Sequence, residues 1–294
     1  MSGRAYIATR KGLFTLQDKG GAWSVTDAAF LGQHVSAFSH DPRSGRLYAA
    51  LMHGHYGAKV HRSDDDGNTW KEIAVPVYPQ RPDDAPPWMC PIRNIEIPWS
   101  LHMAWVIEPD TTTDGGLWCG TIPGGLFRSK DHGESWELLR SLWDLPNRGK
   151  WFGGGYDYPG IHSVMVDPND GKHITIAVSC GGVWATHDAG QTWEDRCKGL
   201  RNAYMPPDRE DDPDVQDPHL VVQCPSQIER LWMQHHNGIF VTDDAGKRWD
   251  RDQRSWAHPR SASPWPGTRM TWIPRGLSRG VKDEERIPVG GNLW

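Results

Sequence analysis

Short apolar segments separated by turn-forming residues run along most of the chain. Segments such as RLYAALM, GLWCGTI, HITIAVS and GIFVTDD are rich in β-forming residues and are bounded by Gly, Pro, Asp or Asn. Patterns typical of amphipathic helices are scarce by comparison. The hydrophobic pattern therefore predicts an all-β fold built from short strands and tight turns.

One hairpin pattern recurs along the chain. Its four clear copies are VHRSDDDGNTWKEI, LFRSKDHGESWELL, VWATHDAGQTWEDR and IFVTDDAGKRWDRD, and LFTLQDKGGAWSVT is a weaker fifth copy that ends near Trp23. The tryptophans of the clear copies are separated by 66, 57 and 56 residues. A period of this size indicates one supersecondary unit per repeat.

Each conserved feature of the repeat has a mechanical reason. Glycine adopts the positive φ of a hairpin turn at low cost, and aspartate accepts the backbone N–H groups that the turn leaves open. Tryptophan then starts the next strand and offers a large apolar face to a neighbouring unit. In the order Asp, Gly, Trp, the predicted structural residues are Asp66, Gly67, Trp70; Asp131, Gly133, Trp136; Asp188, Gly190, Trp193; and Asp244, Gly246, Trp249.

This signature resembles the Asp-box, or BNR repeat, of sialidases, sortilin-type receptors, xyloglucanases and photosystem assembly factors. The resemblance implies a β-propeller of four-stranded blades, about seven in number, in which each box joins the two outer strands of a blade. It also implies that the boxes lie on the rim, away from the axis. We therefore interpret their aspartates as structural residues, because turn chemistry already accounts for them without catalysis or calcium.

A second pattern precedes each clear box from the second blade onward. It reads as an inner strand, a polar turn containing proline and another strand, with a histidine at its head. In a propeller the first strand of each blade lies beside the central channel, so we expect these histidines to converge there. They could bind a divalent metal or an anionic or sugar ligand, or each could support a neighbouring strand by a hydrogen bond. The histidines are His34, His102, His162 and His219.

Three insertions depart from the repeat, at residues 76–102, 141–162 and 198–219. Each ends at one of the four histidines, so we expect all three to lie on one face above the channel, where a ligand would bind. Cleavage of a sugar needs two carboxylates, or a tyrosine with a glutamate, beside the scissile bond. The candidates for catalysis are Glu96, Asp157 and Tyr158, and the further candidates for ligand binding are Arg93, Tyr156, His235 and His236.

The leading functional hypothesis is a sialidase-like or glycosyl hydrolase-like propeller. It would bind or hydrolyse a carbohydrate or another polar small molecule over the histidine-lined channel, and a divalent metal is the cofactor that the histidines suggest. The alternative is a non-catalytic scaffold with a protein partner. Sialidases hold the substrate carboxylate with three arginines, and an Arg-Ile-Pro motif occurs here only at residues 286–288, so sialidase activity itself is not predicted.

Charge and composition exclude several other classes. The formal net charge is −5 with both signs spread along the chain, which argues against a nucleic-acid or anionic-membrane surface. No apolar run reaches the length of a membrane span, and the first residues do not read as a secretory signal, so we expect a cytoplasmic protein. The 5 cysteines contain no CxxC pair and suggest neither a disulfide framework nor a zinc ribbon.

The pattern fails near the end of the chain. We expect propeller blades over residues 1–258, the first without its inner strand, and a degraded partial blade over residues 259–294. Between Pro259 and Arg279 the chain reads like no blade, and an alternate reading frame would restore a strand and turn there. The hypothesis is therefore a frame-shift and an incomplete propeller of reduced stability, which the nucleotide sequence would test.

Overall fold

The computed structural model describes residues 3–110 and 112–252. These residues form five antiparallel sheets, and in each sheet the strands are neighbours in chain order. Helical structure in this part of the chain is confined to one α-helix, Arg140–Trp143, and to the 3₁₀ turns Gly54–Tyr56, Pro146–Lys150 and Pro213–Val215. The prediction of an all-β propeller is confirmed.

We number the sheets as blades 1 to 5 along the chain. Blade 1 has three strands, β1 (Arg4–Thr9), β2 (Gly12–Asp18) and β3 (Trp23–Ala29), and the other blades have four each. Blade 2 contains β4 (His34–His40), β5 (Leu47–His53), β6 (Gly57–Ser63) and β7 (Lys71–Ile73). Blade 3 contains β8 (Met103–Pro109), β9 (Leu117–Ile122), β10 (Leu126–Ser129) and β11 (Glu137–Leu138). Blade 4 contains β12 (Gly160–Asp167), β13 (Asp170–Ser179), β14 (Gly182–Thr186) and β15 (Glu194–Asp195). Blade 5 contains β16 (Pro218–Cys224), β17 (Gln227–His235), β18 (Gly238–Thr242) and β19 (Asp250–Arg251).

The first strands of successive blades lie next to each other, β1 by β4, β4 by β8, β8 by β12 and β12 by β16. Buried apolar side chains fill the space between neighbouring sheets. Val106 and Trp118 of blade 3, for example, belong to one cluster with Ile161 and Ile176 of blade 4. Each fully buried side chain of this size contributes about 1.5–3 kcal/mol, so packing between blades stabilises the fold.

The repeated turns are held by their own side chains. In each, the hydroxyl of Ser63, Ser129, Thr186 or Thr242 accepts a hydrogen bond from the glycine N–H at 2.8–3.2 Å and donates one to an aspartate. That aspartate accepts the N–H four residues further on, at 2.8–3.0 Å. The glycines have φ between 82° and 90°. The turns are therefore closed by hydrogen bonds within a few residues.

The aspartate of the first turn is Asp65, one residue before the predicted Asp66. Asp65 accepts from the N–H and hydroxyl of Thr69, at 2.8 and 2.7 Å. Asp66 instead has a left-handed backbone conformation, with φ 62°, and its carboxylate pairs with Arg4 at 3.0 Å. The three adjacent aspartates of this copy explain the one-residue error, because the spacing to Gly67 identifies Asp65 as the equivalent of Asp131.

The repeated tryptophans contact residues of the segment that precedes their own blade in the chain. Trp136 donates its indole N–H to the carbonyl of Ala74 at 2.9 Å, and Trp249 donates to the carbonyl of Arg196 at 2.7 Å. Trp193 donates to the Ser141 hydroxyl at 3.3 Å, and the Trp70 ring lies 5.0 Å from that of Phe30. Trp23 of the weak copy is 51% exposed. The four clear copies thus connect neighbouring blades.

Two further expectations concern membrane-spanning helices and the C-terminal segment. No helix in residues 3–110 and 112–252 is long and apolar enough to cross a membrane. The suggested frame-shift at 259–279 and the partial blade at 259–294 lie outside the described residues.

Candidate functional site

A cavity of about 360 Å³ lies where the first strands of all five blades meet. Its walls come from β1, β4, β8, β12 and β16, which are the first strands of the five blades in chain order. We call it the axial cavity. It is lined by Tyr6, Ala8, Val35, Ser36, Ala37, Phe38, Trp105, Val106, Ile107, His162, His219 and Leu220.

A repeated β-bulge places one prominent side chain of each full blade in this cavity. The pairing of the first and second strands skips Ser36 in β4, Trp105 in β8, His162 in β12 and His219 in β16. A bulge inserts one extra residue and redirects its side chain from the ordinary alternation of the strand. All four extra residues line the axial cavity.

The predicted convergence of four histidines therefore applies to two of them. His162 and His219 are bulge residues, whereas His34 and His102 precede the bulge residues Ser36 and Trp105 by two and three positions and are not among the lining residues. In the described part of the chain the four histidines do not form a group with metal-ligand spacing. The prediction aligned the four segments on their histidines. The number of residues between the histidine and the bulge differs among blades, so this alignment did not find the bulge residues.

His162 supports the neighbouring blade. It is buried, and its Nε2 lies 2.8 Å from the carbonyl oxygen of Pro218, which it can reach only as a donor. Nδ1 then accepts from the Ser163 hydroxyl at 2.8 Å, and this oxygen accepts the N–H of Val221 at 3.1 Å. Burial lowers the pKa of His162 to about 4. His162 is thus a neutral bridge between β12 and β16 as well as part of the cavity wall.

His219 belongs to a second, more polar cluster. Asp217 Oδ2 lies 3.2 Å from His219 Nε2 and 3.1 Å from His236 Nδ1. Burial acts to raise the pKa of Asp217, but hydrogen bonds from His219 and His236 outweigh it and hold that pKa well below its usual range. Asp217 is therefore a buried carboxylate that faces two imidazoles.

His235 has a structural environment instead. It is buried, and the backbone N–H groups of Asp217 and Asn237 point at its Nε2 and Nδ1 from 3.0 and 3.1 Å. Both partners are N–H donors, and an imidazolium has no nitrogen that can accept a hydrogen bond. These contacts therefore favour the neutral ring, as burial does. Burial lowers the pKa of His235 to about 3. The neutral ring can accept only one of these two N–H groups, because its other nitrogen carries the proton.

The three insertions contact one another, as expected for a shared face. One buried cluster contains Trp88 from the first, Trp143 and Phe152 from the second, and Val215 from the third. Arg93 ties the first two together by donating to the carbonyl of Gly154 at 2.7 Å and to Asp157 at 2.8 Å. These contacts give Arg93 an intramolecular role.

The two candidate catalytic carboxylates are engaged in ion pairs. Glu96 pairs with Arg81 at 2.5 Å, and Asp157 pairs with Arg93 at 2.8 Å. Both carboxylate side chains are more than half exposed, and neither belongs to the wall of the axial cavity. Among the described residues that line this cavity there is no carboxylate.

Two tyrosines of the second insertion extend the wall. Tyr156 lies with its ring 5.2 Å from that of Trp105, which in turn lies 5.5 Å from His162. The exposed ring of His102 contacts both Tyr156 and Tyr158, at 6.3 and 6.1 Å. Tyr158, predicted as a catalytic residue, thus contacts His102 rather than a carboxylate pair. The aromatic surface runs from the axial cavity to the loops above it.

A larger cavity, of about 470 Å³, lies away from the channel, between residues 195–201 and 211–213. It contains none of the four channel histidines and none of the candidate catalytic residues, and its walls do not come from the first strands. We therefore place the candidate site at the axial cavity, where the repeat and the insertions meet.

Sequence reasoning missed Ser36, Trp105, Tyr6 and Phe38. A signal for part of this set exists, because Ser36, His162 and His219 each stand six residues before the proline of the following turn. Trp105 stands four residues before its proline, so the same count does not find it.

Comparisons with known proteins give distant similarities. No protein-family model matches the chain. The oligoxyloglucan-reducing end-specific xyloglucanase of Emericella nidulans is 23% identical over 319 residues, which cover 92% of this chain and 36% of that enzyme. The chain thus spans about a third of the length of this curated relative.

Two solved structures are similar to much of this chain at low sequence identity. The GH74 enzyme of Niastella koreensis has a TM-score of 0.48 at 17% identity, covering 84% of this chain and 43% of that one. YCF48 from Cyanidioschyzon merolae has a TM-score of 0.47 at 16% identity, covering 81% and 62%.

Proposed function

We propose that this protein binds an oligosaccharide of the glucan type in the axial cavity. The observation that carries the proposal is the cavity wall, which combines the rings of Trp105, Tyr6 and Phe38 with the polar groups of Ser36 and His219. A sugar ring has apolar C–H faces and hydroxyl edges, so it fits a wall that mixes aromatic faces with a few hydrogen-bonding groups.

The sequence similarity to a xyloglucanase supports the choice of ligand class. As part of the same proposal, the repeated turns are Asp-boxes, and the described blades belong to a propeller of about seven blades of the glycosyl hydrolase-like type. Residues Tyr156 and Tyr158 would extend the contact to sugar units above the cavity, since their aromatic surface continues from Trp105.

Binding is proposed rather than hydrolysis. Glycoside hydrolysis needs two carboxylates on either side of the scissile bond. The described wall of the axial cavity offers none, and Glu96 and Asp157 are held in ion pairs with arginines outside it. Imidazole and hydroxyl groups can orient a sugar but do not replace that pair.

Calorimetric titration of the full chain with a xyloglucan oligosaccharide tests the proposal. Trp105→Ala should weaken binding by about 10-fold, which corresponds to the loss of one aromatic contact. Trp23→Ala is the matched control, because Trp23 is an exposed tryptophan outside the cavity. Equal affinity of the Trp105→Ala variant and the wild type would contradict the location of the site.

The same solutions are assayed for new reducing ends. The proposal predicts heat of binding without release of sugar. Absence of binding to xyloglucan and other glucan oligosaccharides would refute the ligand class, and release of reducing ends by the wild type that Trp105→Ala abolishes would refute a purely binding role at this cavity.

A further inference from the structure

Three side chains with metal-ligand chemistry meet at the start of blade 5. Asp217 immediately precedes β16, His219 is the bulge residue of β16, and His236 follows the end of β17. The pairing of Pro218 with His235 places their neighbours Asp217 and His236 side by side. The grouping therefore depends on the hairpin register and on the bulge together.

The distances suit a common ion. Asp217 Oδ2 is 3.2 Å from His219 Nε2 and 3.1 Å from His236 Nδ1, and the three ligand atoms all lie within 4.8 Å of one another. Ligands at about 2.1 Å from a metal stand ~3.0–3.4 Å apart when adjacent and ~4.2 Å apart when opposite. Among residues 3–110 and 112–252 this is the one group of three such ligands.

The carboxylate is oriented from behind. Its other oxygen, Oδ1, accepts hydrogen bonds from the Ser179 hydroxyl at 3.3 Å and from the N–H of Cys180 at 3.2 Å. The N–H of His236 donates to the carbonyl of Asp217 at 3.0 Å, and the ring of Tyr204 packs edge-on against that of His236 at 4.6 Å. Such outer contacts fix ligand orientation in protein metal sites.

The front of the cluster is open. The side chain of Asp217 is 9% exposed, whereas those of His219 and His236 are 40% and 39% exposed. An ion held by these three groups would keep coordination positions for water or another ligand. Because His219 also lines the axial cavity, the cluster lies at the edge of that cavity.

We propose that Asp217, His219 and His236 bind a first-row divalent transition metal. Two imidazoles and one carboxylate are the donor set that zinc, iron(II) and cobalt(II) accept, while calcium and magnesium prefer oxygen ligands throughout. The site shares His219 with the proposed carbohydrate-binding wall, but metal binding is measured without oligosaccharide, so either proposal can fail alone.

Titration of the full chain with Co²⁺, after removal of metal by chelator and dialysis, tests the site. Visible absorption of bound cobalt reports coordination, and displacement by Zn²⁺ gives the zinc affinity. We expect about one Co²⁺ per chain. His219→Gln and His236→Gln keep a donor for Asp217 but remove a good ligand, so each should fold and should lower affinity by more than ~100-fold.

Two further variants separate a built site from chance binding. Ser179→Ala removes an outer contact and should weaken binding by about 10- to 100-fold. The double variant His173→Ala/His187→Ala removes another histidine pair, whose rings lie 4.6 Å apart on the surface, and should leave affinity unchanged. Absence of cobalt absorption, or equal affinity of the wild type and the folded Gln variants, would overturn the proposal.

Discussion

Replacement of Gly120 by alanine tests how closely blades 3 and 4 approach each other. Gly120 lies in β9, and a Cβ at this position would stand 2.6 Å from the carbonyl oxygen of Ile161 in β12. It would also stand 2.7 Å from a methyl group of Ile161 and from one of Val106. The blades can pack this closely only because the position has no side chain.

The size of the effect follows from these distances. Ordinary van der Waals contact begins near 3.4 Å, so the Ile161 carbonyl would have to move by 3.4 − 2.6 = 0.8 Å. That carbonyl belongs to the backbone beside the β12 bulge and cannot turn away as a flexible side chain can. Overpacking of this kind costs about 1–3 kcal/mol. We expect Gly120→Ala to lower the free energy of unfolding by that amount.

Urea unfolding followed by tryptophan fluorescence gives the measurement. Gly149→Ala is the matched control, because no heavy atom lies within 4 Å of a Cβ built there. The control should be unchanged or more stable by ~0.4–1 kcal/mol, through the reduced entropy of the unfolded chain. If Gly120→Ala unfolds at the same urea concentration as the wild type or above, the close packing of blades 3 and 4 is refuted.

Three other predictions concern the turns, the channel histidine and the cavity wall. Asp65→Ala should lower the urea midpoint and Asp66→Asn should not, because Asp65 makes the turn hydrogen bonds; the reverse order would contradict the assignment. Burial lowers the pKa of His162 from 6.5 to about 4, so the unfolded chain binds the proton first and stability falls as the pH drops from 6.5 towards 4. The free energy of unfolding is lower by about 2 kcal/mol at pH 5. His162→Gln should flatten the plot of urea midpoint against pH. An unchanged slope would show that His162 does not cause the loss. Gly160→Ala places a Cβ 2.6 Å from the Trp105 ring and should weaken oligosaccharide binding by displacing that ring. Unchanged affinity would contradict this prediction.

The hairpins could be predicted from the sequence because their interactions are local. Thr186, Asp188 and Gly190 bond to one another and to Thr192 within a span of seven residues, so the spacing alone defines the turn. The prediction of Asp66 in place of Asp65 shows the limit of this reasoning. The turn aspartate is identified correctly only when it is counted as the second residue before the turn glycine.

The channel side chains could not be predicted in the same way. Which residue enters the axial cavity depends on where the bulge falls in each first strand, and the bulge is set by pairing with the second strand. Ser36 and Trp105 therefore take the positions that His34 and His102 were expected to hold. In blades 4 and 5 the histidine is itself the bulge residue, and His162 and His219 line the axial cavity.

The cluster of Asp217, His219 and His236 depends partly on local sequence spacing and partly on strand pairing. Asp217 and His219 are two residues apart and could be paired from the sequence. His236 joins them only because Pro218 pairs with His235, and this register is a property of the folded hairpin. The insertions show the same dependence, since the pairing of Arg93 with Asp157 links segments that are 64 residues apart.

A crystal structure of the full chain with a bound xyloglucan oligosaccharide would test the central claim most directly. The proposed function predicts a sugar ring against Trp105, with hydroxyl contacts to the polar groups contributed by the bulges of β4 and β16. Sugar bound only outside the axial cavity, or an empty cavity at saturating oligosaccharide, would contradict it.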